Sequence, residues 1–417
     1  MKNILKFLSV VTLIPTTSLL VISCTSQTKE TTKKTEKPTQ TLSPKTEKPT
    51  QTLSPKTEKP TQTLSPKTEK PTQTLSPNKQ TIDEIKNILE QQSEAFGSFH
   101  TFQDVVDQIK VYAQNQGIKD LDKLELLDKT LANKNLIPGD NKNNFKLKYF
   151  DIEIPFVLKN VLENEVKTKY SSTNPNEIIQ LGYKKHDDYI QLNIENKTTT
   201  KVPVTLPLKI NSFYKAFKDL KSETITNLDK WNTSNVKIFT NAFEKAKNFN
   251  TDISEWNTSN VIEMTNAFYE ATNFNQNIGK WNTSKVTDMS SMFEGATNFN
   301  QDLNNWNVKN VKNMAQMFWD AIKFNGKISD WDVSNVVSTN NMFSGAKSFN
   351  QDISNWKTNK VESMRGMFAW ANAFNQNLYK WDVKKVINAQ YFRKGIEDNL
   401  PNEKIPKFNP EVSKLID

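Results

Sequence analysis

Trp281-Asn282-Thr283-Ser284-Lys285-Val286-Thr287-Asp288-Met289-Ser290-Ser291-Met292-Phe293-Glu294-Gly295-Ala296-Thr297-Asn298-Phe299-Asn300-Gln301-Asp302-Leu303 is one copy of a unit that recurs every 25 residues. Trp231, Trp256, Trp281, Trp306, Trp331, Trp356 and Trp381 mark its seven starts without a slip. Five residues after each Trp stands Val, from Val236 to Val386. Phe follows at plus 12, Ala at plus 15, Phe-Asn at plus 18 and 19, and Ile or Leu at plus 22. A fixed period of this length marks a stacked or radial repeat architecture. Twenty-five residues are too few for a propeller blade or for two full helices, so the expectation is a solenoid with one superhelical coil per repeat.

The spacing inside a unit gives a first guess at its shape. Val286, Met289, Met292/Phe293 and Ala296 stand at i, i+3, i+6/i+7 and i+10, which predicts one face of a short helix, with Asn282-Thr283-Ser284 supplying N-cap oxygens. Phe299 to Asn304 lacks that spacing and predicts a short strand that stacks on its neighbours. The fold class expected is therefore an α/β solenoid of leucine-rich-repeat-like coils. The Asn column is expected to be buried and to satisfy backbone groups at the turn. The Trp, Phe, Met and Ala columns read as core. The first copy departs with Phe239 and Ala242, the fifth with Thr339, and the last loses phase at Tyr391-Phe392, so the end copies are expected to act as caps.

Three aromatic residues fall where this core does not need them. Trp319 and Tyr269 share the plus-13 position and Trp370 takes plus 14. Exposed aromatics are enriched at interfaces, so these three are the candidate binding residues; packing on an adjacent coil is the competing expectation. Acidic turn residues such as Asp302 and Asp352 read as turn hydrogen bonders rather than calcium ligands. His186, beside Asp187 and Asp188, reads as solvated turn chemistry.

Outward from the repeat, the chain changes character. Lys2 and Lys6 precede an apolar stretch, Phe7 to Ile22, shorter than the roughly 20 residues of a spanning helix. It ends in Val21-Ile22-Ser23-Cys24, which resembles a bacterial lipobox. The reading is a lipoprotein signal peptide over 1–23 and lipidation at Cys24, because two acyl chains suffice for stable attachment. Residues 24–78 then carry four identical copies of Lys-Thr-Glu-Lys-Pro-Thr-Gln-Thr-Leu-Ser-Pro, starting at 34, 45, 56 and 67. Such a segment cannot bury enough apolar surface to offset its ordering, so it is expected to be a disordered stalk. At about 3.1 Å per residue its extended reach is on the order of 170 Å. Residues 79–210 read as a small, mostly helical α+β domain. Ile82, Ile85, Ile88 and Leu89 predict one helix, and Val105, Val106 and Ile109 a second. Leu121, Leu124, Leu127 and Leu131 predict a third, and Phe156 to Tyr170 a fourth. Ile178–Tyr183 and Tyr189–Ile194 predict a hairpin, with Val202–Pro207 an edge or linker. Residues 211–392 are the repeat and 393–417 a C-terminal cap.

Composition narrows the function. The chain carries a net charge of +9, but the stalk alone holds 10 Lys against 5 Glu, so no folded segment is basic enough to argue for nucleic acid. One Cys excludes an intramolecular disulfide, and two His leave little material for zinc sites or His-based triads. No cofactor is expected.

The unit 281–303 resembles the repeat of BspA-like leucine-rich-repeat surface lipoproteins, abundant in mollicutes. The resemblance spans about 211–392, and Leu206 to Ile210 and Asn227 to Trp231 also look family-like. It implies an exported solenoid, lipid-anchored on the extracellular face of the cell membrane, with roles in adhesion or host interaction and no established enzymatic activity. The expected function is thus a non-catalytic binding and display module. Its partners are the membrane, through the anchor, and a host surface or matrix macromolecule. A variable surface antigen is the alternative; a hydrolase in 79–210 that uses the solenoid as substrate holder is a weaker one, since carboxylates alone can run glycoside hydrolysis.

Overall fold

A computed structural model describes residues 77–417. Cys24, the signal and most of the stalk lie outside the described residues. No helix among the described residues is long and apolar enough to cross a membrane.

The chain enters with two helices, both where the apolar spacing placed them. α1, Lys79–Gln91, is capped by Asn78, whose side chain accepts from the Thr81 N–H, and buries Ile82, Ile85, Ile88 and Leu89. α2, Phe102–Asn115, opens on a reciprocal capping box between Thr101 and Asp104. The third and fourth expected helices are absent. The leucine run instead gives two single 3-10 turns around β1, Leu124–Leu126. Phe156 lies in a strand: β2, Gly139–Tyr149, pairs antiparallel with β3, Ile152–Val161, in the order β1-β2-β3. The reason is a period of two. Phe145, Leu147 and Tyr149 face the same core as Ile154, Phe156 and Leu158, with Phe145 opposite Phe156 and Leu147 opposite Ile154. The entry segment is therefore richer in strand than a mostly helical domain.

Short strands follow: β4, Glu165–Val166; β5, Lys169–Tyr170; β6, Ile178–Gln180; β7, Gly182–Lys185; and β8, Ile190–Asn193. β7 and β8 form a hairpin where one was expected, but its first limb is Gly182–Lys185; Ile178–Gln180, expected in that limb, pairs with β5 instead. One buried apolar cluster runs from Ile82 to Val161, and a second, continuous one from Val166 to Ile416. The cores thus part between Val161 and Val166, well before residue 210, where composition changes. Parallel bridges link Glu177 to Lys201 to Thr226, and Gln191 to Ser212 to Ile238, so stacking begins ahead of the first Trp. Leu206, 25 residues before Trp231, is buried in a unit that lacks the Trp signature.

From Ile238 on, each unit bridges the next in parallel at the seventh residue after Trp: Ile238, Glu263, Asp288, Asn313, Ser338, Ser363, Asn388. The stretch expected to be helical carries most of the inter-unit backbone bonds. Met289, Ser291, Phe293 and Gly295 donate to the carbonyls of Asn313, Ala315, Met317 and Trp319 in the next unit at 2.7–3.0 Å. The intervening N–H groups of Met292, Glu294 and Ala296 turn back three residues, to Met289, Ser291 and Phe293. Left-handed backbone at plus 10 and plus 14, as at Ser291 (φ 53°) and Gly295 (φ 68°), rules out a continuous helix. The run is a chain of tight turns whose inward residues fall three or four apart, which mimics helical spacing.

The expected strand at Phe299 to Asn304 is also absent as a ladder. Side chains join the units there. Asn275 Oδ1 accepts the Asn300 N–H at 2.9 Å, and the Gln301 amide donates to the Asn275 carbonyl at 2.9 Å. The Asn column satisfies backbone groups as expected, but Asn275, Asn300 and Asn325 are exposed rather than buried. Asn282 caps a turn, accepting from Ser284 N–H at 3.0 Å, and not a helix.

Aromatic columns fill the core. Phe268, Phe293 and Phe318 stack at 5.6 Å with planes within 7°. Phe293 also stacks on Phe299 of its own unit at 4.0 Å. Burying one such side chain contributes about 1.5–3 kcal/mol. The C-terminal segment closes the stack. Phe408 meets Phe392 edge-on at 5.2 Å, and the buried Arg393 donates to the Leu400 carbonyl, Asn402 and Asp417.

Candidate binding face

Positions plus 13 and plus 14 form one strip along the stack. The N–H at plus 14 donates to the plus-13 carbonyl of the next unit: Lys245 to Tyr269, Glu270 to Glu294, Gly295 to Trp319, Asp320 to Ser344, Gly345 to Ala369. Tyr269, Glu294, Trp319, Ser344 and Ala369 are therefore consecutive rungs, about 4.8 Å apart. Tyr269 and Trp319 share this column two rungs apart, with Glu294 between them. Trp370 stands in the adjoining column.

The plus-14 column holds to a packing rule. Its backbone is left-handed in every Trp-headed unit, and alternate units place Gly there: Gly295, Gly345, Gly395. A Cβ on Gly345 would meet Asp320 Oδ1 at 2.0 Å, and one on Gly395 would meet Trp370 Cε3 at 2.2 Å. The side chains of Glu270, Asp320 and Trp370 thus lie across the glycine of the following unit. Trp370 packs on the adjacent coil in this way and still keeps 51% of its surface exposed. Tyr269 and Trp319 are half-buried. Packing and exposure, set as alternatives for these residues by the sequence, coexist.

The strip is acidic around its aromatics. The neighbouring Glu270, then burial and the charges of Glu294 and Glu244, push the Tyr269 hydroxyl up to about 12. Burial raises Glu294, with Asp320 and Glu270 adding to it, and burial likewise raises Asp320 against the pull of Lys347. Lys245 lies 5.9 Å from the Tyr269 ring.

Elsewhere the turn residues are satisfied locally. Asp352 Oδ1 accepts from Ser354 N–H at 2.9 Å, and Asp302 Oδ1 from Lys327 N–H at 2.9 Å. His186 stacks on Tyr189 at 4.9 Å in the β7–β8 turn. No group of three or more His, Cys, Asp or Glu among the described residues is placed to hold a metal ion. The group that sequence reasoning passed over is His100. It is buried beside Phe96, Phe99 and Tyr183, with Nε2 3.3 Å from the Tyr183 hydroxyl. Its position immediately before the Thr101–Asp104 capping box was the available signal.

No curated protein and no solved structure matches the chain. Two overlapping segments, residues 211–326 and 301–404, match the family model described as "Mycoplasma protein of unknown function, DUF285". Across its Trp-headed units the chain is similar to a Mycoplasma repeat family whose function is unknown.

Proposed function

We propose that the chain is a lipid-anchored repeat protein of BspA-like type, displayed on the outer face of the cell membrane, that binds a host macromolecule without catalysis. The stacked units act as a solenoid, whose extended face suits large partners. The observation that carries this reading is the strip at plus 13 and plus 14. It holds Tyr269, Trp319 and Trp370 on a hydrogen-bonded ladder, so little ordering entropy is lost when a partner docks. Cys24 supplies the anchor and the stalk the reach. Against a hydrolase stands one cluster of the entry segment, where Asp122, Glu125 and Asp151 each pair with a lysine. The antigen reading keeps one supporting observation, the four identical stalk copies, which suit variation in copy number.

The test is binding of the purified chain to host matrix proteins, plasma proteins and glycans, beside a Trp319→Ala, Trp370→Ala variant. A saturable partner, weakened about tenfold or more by the two substitutions, is expected. A partner bound equally by both forms moves the site off the strip. An absence of partners favours the antigen reading.

A further inference from the structure

A second edge of the stack carries a different chemistry. The residues three and four after each Trp form the tip of a turn, closed by the Val N–H at plus 5 bonding the plus-2 carbonyl: Val286 to Thr283, Val311 to Val308, Val361 to Thr358 at 2.9 Å, and Val386 to Val383 at 3.0 Å. These tips touch from unit to unit. The Asn310 amide donates to the Ser284 carbonyl at 2.7 Å and the Asn335 amide to the Lys309 carbonyl at 2.8 Å. Lys285 Nζ donates to Asn260 Oδ1, and Lys360 Nζ to Asn335 Oδ1, both at 2.6 Å. The tips are therefore a contiguous row, at a rise of about 4.8 Å per unit.

The row is neutral at its start, with Ser234-Asn235 and Ser259-Asn260, and basic in four of the last five units; the unit headed by Trp331 carries Ser334-Asn335 between them. Lys285, Lys309, Lys357, Lys360, Lys384 and Lys385 sit on or beside the tips and are all exposed. None of the six is in an ion pair with a described residue. At other turns of the stack, by contrast, Lys280 meets Glu255 at 2.8 Å and Lys327 meets Asp302 at 3.6 Å. Only Asp332, Glu362 and Asp382 offset the row. The Ser334 hydroxyl, together with Lys357 and Lys309, holds the Asp332 carboxyl below the usual range, which shows the two lysines flanking it from the units on either side.

We infer that this row of turn tips is a binding edge for a linear sulfated polysaccharide. A row with six lysines against three carboxylates, spread over several units, favours a polymer carrying many anions over a compact anion, because each further lysine-bearing unit engaged adds a charge contact and releases a counterion. Lysine heads on flexible stems are point charges that fit sulfate without demanding a planar fork. The tips carry Ser, Asn and Lys, and the exposed ring beside the last tip, Tyr379, already has Lys407 Nζ 5.0 Å from its centroid, so the row lacks the succession of stacking platforms that single-stranded nucleic acid uses. The inference rests on surface display only in that such polymers are met outside the cell; the edge itself is independent of the aromatic strip.

The experiment titrates the full chain with heparin, a charge-matched single-stranded oligonucleotide and phosphatidylglycerol vesicles, at low and high salt. Beside it run a Lys309→Ser, Lys360→Ser, Lys384→Ser, Lys385→Ser variant and a control, Lys280→Ser, Lys327→Ser. Ser is native to tip positions such as Ser284, so thermal unfolding of the variant should match the parent. Heparin affinity should fall at least tenfold in the tip variant and not in the control, with a flatter salt dependence. Equal heparin binding by parent and tip variant, or none at low salt, overturns the proposal. Oligonucleotide or vesicles bound as tightly as heparin overturn the choice of polysaccharide. Because binding is read in solution, failure of surface display would not alter it.

Discussion

Trp281 donates its indole N–H to the carbonyl of Ile253, 3.1 Å away and three residues before Trp256, where both groups are buried. Each of the seven repeat tryptophans makes the same bond, 28 residues back along the chain, from Trp231 to Pro203 through Trp381 to Ile353. The column therefore ties unit to unit as well as filling the core. Trp281→Phe keeps most of the apolar surface but leaves the Ile253 carbonyl without its donor. The expected cost is about 1–3 kcal/mol, seen as a lower urea midpoint. Faster amide exchange localised to the junction with the preceding unit would accompany it. An unchanged midpoint would mean that the bond contributes nothing beyond packing.

Gly395 pairs with Trp370 for two separable reasons, a φ of 80° and the indole lying against its Cα. Gly395→Ala should destabilise by about 1–3 kcal/mol from backbone strain and steric conflict together. In a Trp370→Ala background only the strain remains, so the same substitution should cost less. A double-mutant cycle by chemical denaturation measures the difference, and additivity would show that the indole does not rest there.

His100 makes stability depend on pH. Burial pushes it down to about 4, against weaker opposing effects from the Gly97 backbone and Asp104. Its ordinary value is near 6.5. The folded chain therefore keeps the ring neutral where the unfolded chain takes up a proton. The contribution, on the order of 3 kcal/mol, is present above pH 6.5 and drains away as pH falls toward 4. Unfolding measured from pH 7.5 to 4 should show a shallower decline in His100→Phe than in the parent. Parallel curves would mean that the ring titrates normally.

Much of the repeat was legible because its columns are so regular. The Trp, Phe, Met and Ala columns read as core, and Trp281, Met289, Phe293, Ala296 and Phe299 are all buried. The secondary structure joining them was not legible. Turns broken by left-handed Ser291 and Gly295 put side chains inward every three or four residues, as a helix does, and periodicity alone cannot separate the two. Phe156 was assigned to a helix because its pairing with Phe145 is long-range information that no local window holds. The unit headed by Leu206 looks family-like at Leu206 to Ile210, but its Phe217, which stacks on Phe243 at 4.7 Å, stands 26 rather than 25 residues away, and the second core begins still earlier, at Val166, where no column marks it. At the plus-13 and plus-14 strip, Trp319 and Trp370 stand out by breaking their columns. The seating of each plus-14 side chain on the next glycine shows only once the units are stacked.

Display at the cell surface decides whether any of these faces meets a partner. The direct measurement is made on intact cells producing either the parent chain or Cys24→Ser, by lipid labelling, membrane fractionation and brief external protease. The parent should be labelled, membrane-bound and shaved from the surface, while Cys24→Ser should lose the label and leave the membrane fraction. A parent chain that carries no lipid, or that stays protected from protease until the cells are broken, would contradict it.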